Sequence, residues 1–347
     1  TPGTGEYEWK GFVPPEDMPQ IINPKQDYLF NWNTKASLNW PDGDGPRFGA
    51  THRAWMPPEL IAAKPTGITI ADVRDYHRRL GSTGTDFGMT SPKFFAPYLQ
   101  AAVANDAALR PVVDAMVSWN AMYEDKDNDG FYDNPGLAAF RKWVEIAKTT
   151  IIDDDLGDQS AFLINAKIDL LLRAIEGPDA GVPMKHDWMN GRTRDEVLRE
   201  TVAKTAAAMT ARYGSSDVKA WKHPVFYRYY DCSITAQYPD HPPYRPSRCG
   251  GGTKGLGVAN LETAGRLGLQ PKFVPDNMSE AWSGLMDLSP QSKVLRDVTP
   301  SGGQNQFIST DGKGNPNIAD QVDLDLNFDF KTVELDKDKV MAGAVSQ

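Results

Sequence analysis

The stretch Ile22-Asn23-Pro24-Lys25-Gln26-Asp27-Tyr28-Leu29-Phe30-Asn31-Trp32-Asn33 decides how this sequence is interpreted. Its first half is rich in residues that favour turns and loops. Its second half, residues 28–32, is an aromatic, β-prone run that predicts a strand. Asn33 stands at the end of that strand, where its amide side chain either bonds to nearby backbone or serves a functional site.

The residues upstream of this stretch extend the pattern. Pro2-Gly3-Thr4-Gly5 is typical of a turn, and Trp9-Lys10-Gly11-Phe12 follows with two large aromatic side chains. Together, residues 2–33 resemble the middle of the catalytic β-chain of the penicillin acylases, a family of N-terminal nucleophile amidohydrolases. The resemblance returns after a long helical pattern, in Arg212-Tyr213-Gly214 and Trp221-Lys222-His223-Pro224.

The resemblance implies an α+β fold, namely the four-layer αββα sandwich of N-terminal nucleophile hydrolases, completed by another chain and carrying a helical arm. In such enzymes the first side chain of the catalytic chain attacks an amide, and its own α-amine is the general base. Fixed N–H donors stabilise the charge that develops on the former carbonyl oxygen. The family's asparagine after tryptophan is one such donor, so the resemblance assigns that catalytic role to Asn33.

Three further site residues follow from the same resemblance. Arg53, in a segment that resembles the family's arginine-bearing one, would orient the catalytic asparagine or hold a substrate carboxylate, as a fixed fork of donors can. Trp32 would lie against the substrate. Asp44 is the nearest match to a metal-binding aspartate of many relatives, with Asp42 as a second candidate, and a solvated Asp-Gly turn is the alternative to a metal site.

The partners are also implied by the resemblance. The nucleophile would lie on an upstream chain of the same precursor, and we expect this chain to begin at a cleavage point within that precursor. The substrate would be a small-molecule N-acyl amide of the β-lactam or acyl-homoserine lactone type. The acyl group cannot be inferred, because the family's acyl pocket is lined largely by residues upstream of the point that corresponds to Pro2.

An acidic loop can be interpreted without any family. Asp125, Asp127 and Asp129 occupy positions 1, 3 and 5 of a calcium-loop pattern, with Gly130 at position 6. Ca²⁺ binds six to eight oxygen atoms, and the glycine allows the sharp turn. Two further ligands complete the pattern, the carbonyl of Phe131 and the carboxylate of Asp133. Position 12 is Gly136 where a bidentate glutamate is usual, so a water or a distant carboxylate, for instance within residues 153–155, would complete the site.

Periodicity divides the chain into a β-prone region at residues 1–55, a mainly helical region with the calcium loop at 56–225, and an irregular and β-prone region at 226–347. The resemblance implies that the first region contributes strands of the sandwich, that the second is the helical arm and that the third returns to the sandwich. Capping patterns at Thr69-Ile70-Ala71-Asp72 and Thr193-Arg194-Asp195-Glu196 mark two helix starts. Helical spacing predicts helices at residues 69–81, 98–104, 112–117, 137–146, 159–175 and 194–213.

Composition excludes several classes of protein. The net charge is −9 and the pI is near 5.1, and an acidic surface repels phosphate backbones, so a nucleic-acid partner is not expected. No apolar run approaches the ~18 residues that a membrane span needs.

Cysteine usage bears on the compartment. Cys232 and Cys249 either remain as two buried thiols or form a disulfide that would contribute about 3 kcal/mol in the chain-entropy model. A disulfide together with a calcium loop indicates an exported protein, secreted or periplasmic, with a structural calcium ion. The alternative to an enzyme is a secreted, calcium-stabilised binding or structural module without catalysis.

Overall fold

The computed structural model describes residues 3–8, 11–31, 37, 54–81, 89–127, 129–159, 167–181, 183–224, 226–230, 272–276, 283–287, 294–298, 331–334 and 336–343. The helices in these residues are α1 (Met56–Ala63), α2 (Ile70–Gly81), α3 (Ala96–Ala102), α4 (Arg110–Ser118), α5 (Pro135–Lys148), α6 (Asp154–Leu156), α7 (Lys167–Glu176), α8 (Arg194–Tyr213) and α9 (Lys337–Gly343). The strands are β1 (Phe226–Tyr230), β2 (Lys272–Asp276), β3 (Ser283–Met286), β4 (Val294–Val298) and β5 (Lys331–Glu334).

Local sequence explains where two of the helices begin. At the start of α8, the Thr193 hydroxyl accepts from the backbone N–H of Glu196, whose carboxylate accepts from the N–H and hydroxyl of Thr193. At the start of α2, Thr69 and Asp72 exchange the same pair of contacts. Each arrangement satisfies backbone donors that the first turn of a helix leaves unpaired. Both capping predictions are confirmed.

The end of α8 is equally local. Gly214 adopts a left-handed conformation with φ of +67° and donates its N–H to the carbonyl of Thr210. Glycine carries no Cβ, so it takes this conformation without strain. The predicted helices at 69–81, 112–117, 137–146 and 194–213 are confirmed, and the helix predicted at 98–104 is present as α3 but ends at Ala102. For the predicted helix at 159–175, residues 160–166 lie outside the described part of the chain, and the described part of α7 begins at Lys167.

One apolar core lies among α3, α4, α5, α7 and α8. Its centre is aromatic, because the Trp143 ring lies 5.1 Å from Phe95 and 5.6 Å from Phe140, and Trp119 lies 5.9 Å from Phe140. Stacked and edge-on pairs at such distances add to the free energy of simple burial. The acidic loop connects α4 and α5, two of the helices that form this core.

Two small sheets follow the helices in sequence. β1 pairs with β2 in parallel, and β3, β4 and β5 form an antiparallel sheet in that order. All five strands lie within residues 226–347, where the sequence predicts irregular and β structure. The described residues are therefore mostly helical, and the four-layer sandwich and the three-region division stay predictions.

The N-terminal segment differs from its prediction. Residues 28–31 adopt no regular element, and the one element described within 3–8 and 11–31 is a 3-10 turn at Pro15–Asp17. A strand requires a hydrogen-bonded neighbour, and no strand lies beside this segment in the described residues. Among the helices of the described residues, none combines the length and the apolar character that a bilayer crossing needs.

Candidate functional site

The residues predicted to act in catalysis fall on a part of the chain that is not described. Trp32, Asn33, Asp44 and Arg53 all lie outside the described residues, and so does Asp42. Cys232 and Cys249 lie outside them as well. The acidic loop is described except for Asn128, and it is therefore the site whose geometry can be built from its residues.

The acidic loop brings three of its four predicted carboxylates together. Carboxylate oxygens of Asp125, Asp127 and Asp133 all lie within 4.8 Å of one another. Both carboxylate oxygens of Asp125 are shielded from solvent, whereas Asp127 and Asp133 are exposed. Three negative charges at this spacing repel one another, and a cation placed among them removes that repulsion.

Backbone hydrogen bonds hold two of these carboxylates in place. Asp133 accepts from the N–H of Lys126 at 3.2 Å, and Asp127 accepts from the N–H of Asp129 at 3.1 Å. Gly130 has φ of +86°, a left-handed conformation that side chains disfavour. The turn predicted for position 6 of the pattern is therefore present.

The fourth carboxylate has a different partner. An Asp129 oxygen lies 2.7 Å from Nζ of Lys222 and its other oxygen accepts from the N–H of Phe131 at 2.8 Å. The Lys222 ammonium lowers the pKa of Asp129 below its ordinary value, and the carboxylate in turn raises the pKa of Lys222. Asp129 is thus engaged by a lysine, while the other three carboxylates face one another.

Lys222 also forms part of a surface depression beside the loop. The depression has a volume of about 360 Å³ and is lined by Lys126, Asp127, Asp129, Phe131, Tyr132, Asp133 and Lys222. Lys222 Nζ lies 5.8 Å from the ring of Phe131. The depression is thus lined by three acidic and two basic side chains.

The loop is anchored to the segment that leads into β1. The N–H of Tyr132 donates to the carbonyl of His223 at 2.9 Å, and Phe131 forms an isolated antiparallel bridge with Pro224. The Tyr132 ring lies 5.8 Å from the imidazole of His223, and both side chains are buried. Any ion that orders the loop would therefore also order the approach to β1.

Gly136, at position 12 of the pattern, has a steric reason to be glycine. It lies in the first turn of α5, directly after Pro135, and a Cβ added there would lie 1.9 Å from the carbonyl oxygen of Ala115 in α4. No side chain fits in that space without moving one helix away from the other. The bidentate glutamate of the usual pattern is excluded here by helix packing.

The distant carboxylates suggested as replacements are engaged elsewhere. Asp155 pairs with His186 at 3.2 Å, and Asp154 accepts from the side-chain amide of Asn190 at 3.1 Å. They lie at the end of a π-helical turn, Thr149–Asp153, that follows α5. Among the described residues, the one grouping of carboxylates close enough to share an ion is Asp125, Asp127 and Asp133.

Sequence reasoning did not identify Lys222, His223 and Pro224 as partners of the loop. These residues lie some 90 positions after the aspartates, and Lys222 is separated from Asp129 by 93 residues. Nothing in local spacing indicates such a contact. The pattern Trp221-Lys222-His223-Pro224 stood out in the sequence only because it resembles the family, and that resemblance does not indicate a contact with the loop.

The chain was compared with protein families and with known proteins. The family model described as penicillin amidase matches residues 1–342. Penicillin G acylase of Escherichia coli is 24% identical over an alignment of 372 positions that spans 100% of this chain and 40% of the relative. This chain therefore spans well under half the length of that relative.

A solved structure was matched as well. The thermostable penicillin G acylase from Alcaligenes faecalis, in its orthorhombic form, superposes with a TM-score of 0.72 at 17% identity. The superposition covers 99% of this chain and 60% of the solved chain, so the two share a fold. Because the family model matches nearly the entire sequence, the chain belongs to the penicillin amidase family.

Proposed function

We propose that this chain is part of an amide hydrolase that cleaves the acyl–nitrogen bond of a small N-acyl substrate. The observation that carries the proposal is the penicillin amidase match over residues 1–342. The chain spans 40% of one relative and 60% of the solved chain, which supports an enzyme completed by further polypeptide. In this proposal the nucleophile lies on a separate upstream chain of the same precursor.

The proposed reaction needs a nucleophile, a base and an oxyanion donor. The upstream chain's first side chain attacks the substrate carbonyl, and its α-amine takes the proton. The Asn33 amide donates to the oxygen that gains negative charge, the amine leaves with a proton, and water then hydrolyses the acyl-enzyme. Arg53 orients Asn33 or holds a substrate carboxylate, and Trp32 lies against the substrate.

The oxyanion role is tested by two asparagine substitutions in the same stretch. Asn33→Ala in the full-length gene product should lower kcat by about 100- to 1,000-fold, the usual cost of removing one such donor. Asn31→Ala, two residues earlier, is the matched control and should keep most of the turnover. Turnover of penicillin G and of an acyl-homoserine lactone is measured as the release of the free amine. If Asn33→Ala turns over at near the wild-type rate, the oxyanion role is wrong.

The same proposal extends to the architecture. Strands β1–β5 would belong to the αββα sandwich together with strands of the upstream chain, and helices α1–α8 would form the arm. The fold shared with the solved penicillin G acylase supports this arrangement.

We also propose that the acidic loop holds one structural calcium ion. The donor set fits, because Asp125, Asp127 and Asp133 offer clustered carboxylate oxygens, which are the ligands that Ca²⁺ prefers. Asp129, the carbonyl of Phe131 and water complete the predicted shell, and Asp44 is a candidate ligand of a second site near the nucleophile. The ion would relieve carboxylate repulsion and fix the loop against residues 223 and 224.

The calcium proposal is tested by thermal unfolding with excess Ca²⁺ and with a chelator. Chelation should lower the Tm of the wild-type protein, because an ion that binds only the folded state stabilises it. Asp127→Asn should lose most of this difference. Asp114→Asn, which changes an exposed carboxylate on α4, should keep it. Equal Tm values with and without chelator would contradict the proposal.

A calcium site and a disulfide would both suit an exported protein. Extracellular calcium modules bind at about 10⁻⁴–10⁻³ M, and disulfides persist outside the cytosol. We therefore propose a secreted or periplasmic location, with Cys232 and Cys249 bridged.

The second candidate is a secreted calcium-stabilised module without catalysis. The carboxylate cluster favours this candidate, because a calcium ion held there would stabilise a protein with or without an active site. Intact-mass analysis of protein purified from the full-length gene separates the two candidates. A co-purifying chain that begins with Ser, Thr or Cys supports the enzyme, and a single monodisperse chain supports the module.

A further inference from the structure

The single Asn-Gly pair of the sequence, Asn190-Gly191, lies on an exposed turn that leads into the Thr193 cap of α8. An asparagine is converted spontaneously to aspartate when the backbone nitrogen of the next residue attacks its side-chain amide carbon. Glycine hinders this attack least, because it has no Cβ. The sequence and the exposure of the turn therefore single out Asn190 for this reaction.

Hydrogen bonds to carboxylates restrain both of the reacting groups. The N–H of Gly191 donates to a carboxylate oxygen of Asp187 at 2.7 Å, and the side-chain amide of Asn190 donates to Asp154 at 3.1 Å. Asn190 and Gly191 both adopt left-handed conformations, with φ of +54° and +74°. The attack requires the Gly191 nitrogen to lose its proton and to approach the Asn190 side chain, so these contacts must open first.

The Asp187 carboxylate opposes the attack. It accepts from Gly191 and also from the N–H of Met189 at 3.0 Å, and these two hydrogen bonds, with that from Gly191 the stronger cause, lower the pKa of Asp187 below its ordinary value. A carboxylate with a lowered pKa is a weak base. Its charge also disfavours a second negative charge on the nitrogen beside it. Asp187 therefore holds the proton on the nitrogen that would have to release it.

We propose that Asn190 is a site of spontaneous deamidation and that the contact between Asp187 and Gly191 controls its rate. When the turn opens, the Gly191 nitrogen loses its proton and bonds to Cγ of Asn190. The bond from Cγ to Nδ2 breaks, and Nδ2 leaves with its own hydrogens and that proton as ammonia. Water then opens the cyclic imide at either carbonyl and gives aspartate or isoaspartate, with no change of oxidation state.

The product weakens the contact between this turn and α6. The amide of Asn190 donates to Asp154, whereas a carboxylate in its place cannot donate and repels the charge of Asp154. Burial and the neighbouring Asp155 already raise the pKa of Asp154, so a further negative charge is unfavourable there. Isoaspartate also adds one methylene to the backbone shortly before the Thr193 cap. Deamidation should therefore loosen the turn that precedes α8.

The rate is measured on protein purified from the full-length gene and aged at mildly alkaline pH. Trypsin cleaves after Lys185 and Arg192, so residues 186–192 are released as one peptide. Mass spectrometry of that peptide gives the deamidated fraction, and chromatography separates aspartate from isoaspartate. A synthetic peptide of the same residues gives the rate without the fold. The folded protein should react at least ~10-fold more slowly than the peptide, because its turn must open first.

Asp187→Ala tests the control of the rate. In the folded protein it should raise the deamidation rate by about fivefold or more, because the Gly191 N–H loses its acceptor and the turn opens more often. The same substitution in the synthetic peptide should change the rate little, since the peptide lacks the folded turn. Asp158→Ala, which removes an exposed carboxylate outside the turn, is the control in the folded protein. An unchanged rate in Asp187→Ala overturns the proposal, and so do equal rates for the wild-type protein and its peptide, a comparison that needs no variant.

Asn190→Asp tests the effect of the product. Amides at residues 189–192, which are held by hydrogen bonds within the turn, should exchange about tenfold faster in this variant than in wild type. Asn190→Ser, which shortens the side chain without adding a charge, should have a smaller effect. Exchange at the wild-type rate in Asn190→Asp would overturn the proposed loosening of the turn.

Discussion

At the scale of single residues, Thr201 links the two longest helices of the core. Its hydroxyl accepts from the indole N–H of Trp143 on α5 at 3.0 Å and donates to the carbonyl of Leu198 at 2.8 Å. Trp143 and Thr201 are both fully buried. Thr201→Val preserves the side-chain shape but leaves the indole N–H without its acceptor, so we expect a loss of about 1–3 kcal/mol in the free energy of unfolding.

Thr205 provides the matched control one turn later. It is equally buried, and its hydroxyl donates to the carbonyl of Thr201 at 2.8 Å. Thr205→Val therefore removes one bond to a carbonyl but leaves no indole donor unpaired, and we expect a cost of no more than about 1 kcal/mol. Urea denaturation of both variants measures the difference. Equal costs would mean that the Trp143 contact adds nothing.

At this scale, the sequence predicted the types of the loop residues but not their pairing. The spacing of Asp125, Asp127 and Asp133 follows a local pattern, and the structure brings those carboxylates together. The ion pair of Asp129 with Lys222 joins residues 93 positions apart and has no local signature. The glycine at position 136 departs from the pattern because the carbonyl of Ala115 occupies the space, which only the packing of two helices reveals.

At the scale of secondary structure, the capping box of α8 makes a prediction about pH. Hydrogen bonds from the backbone and hydroxyl of Thr193 lower the pKa of Glu196 below its ordinary value of 4.5. The folded state therefore holds the ionised form more strongly than the unfolded state does. This contribution to stability is complete above about pH 4.5 and is lost as the pH falls through the lowered pKa.

Glu196→Gln keeps a capping side chain but cannot ionise, so it isolates this contribution. We expect the variant to be less stable than wild type at about pH 7, and the difference to shrink as the pH falls below about 4.5. Asp195→Asn, which removes a neighbouring charge of the same turn without removing a capping contact, is the control. A Glu196→Gln difference that is constant with pH would show that the charge has no role in the cap.

Helices were predictable from sequence because their signals are local. The caps at Thr69 and Thr193, the glycine stop at Gly214 and the apolar spacing of α4 and α5 all operate within one or two turns. Strands were not predictable in this way, because a strand pairs with another strand that lies elsewhere in the sequence. The aromatic run at residues 28–31 has strand composition but no strand beside it in the described residues, and it adopts no regular element.

At the scale of the whole molecule, two parts of the described chain differ in the burial of their apolar side chains. The helices from α3 to α8 enclose their apolar side chains in one core. Residues 11–31 instead expose large apolar side chains, among them Phe12 and Ile22, and the described backbone–backbone hydrogen bonds of this segment are local. Family membership was predictable from sequence through residues 2–33, yet the predicted active-site residues Trp32, Asn33, Asp44 and Arg53 lie outside the described part of the structure.

Hydrogen exchange should show this division directly in the isolated chain. Amides open with free energies that range from near zero in weakly held segments to the global value in the core. Amides in the middle of α5 and α8, which are buried and joined through Trp143 and Thr201, should therefore exchange at least ~100-fold more slowly than those at residues 19–23. Mass spectrometry of peptides from the two regions measures this difference. Equal exchange rates at residues 19–23 and in the centre of α8 would contradict this division between a buried core and a weakly held segment.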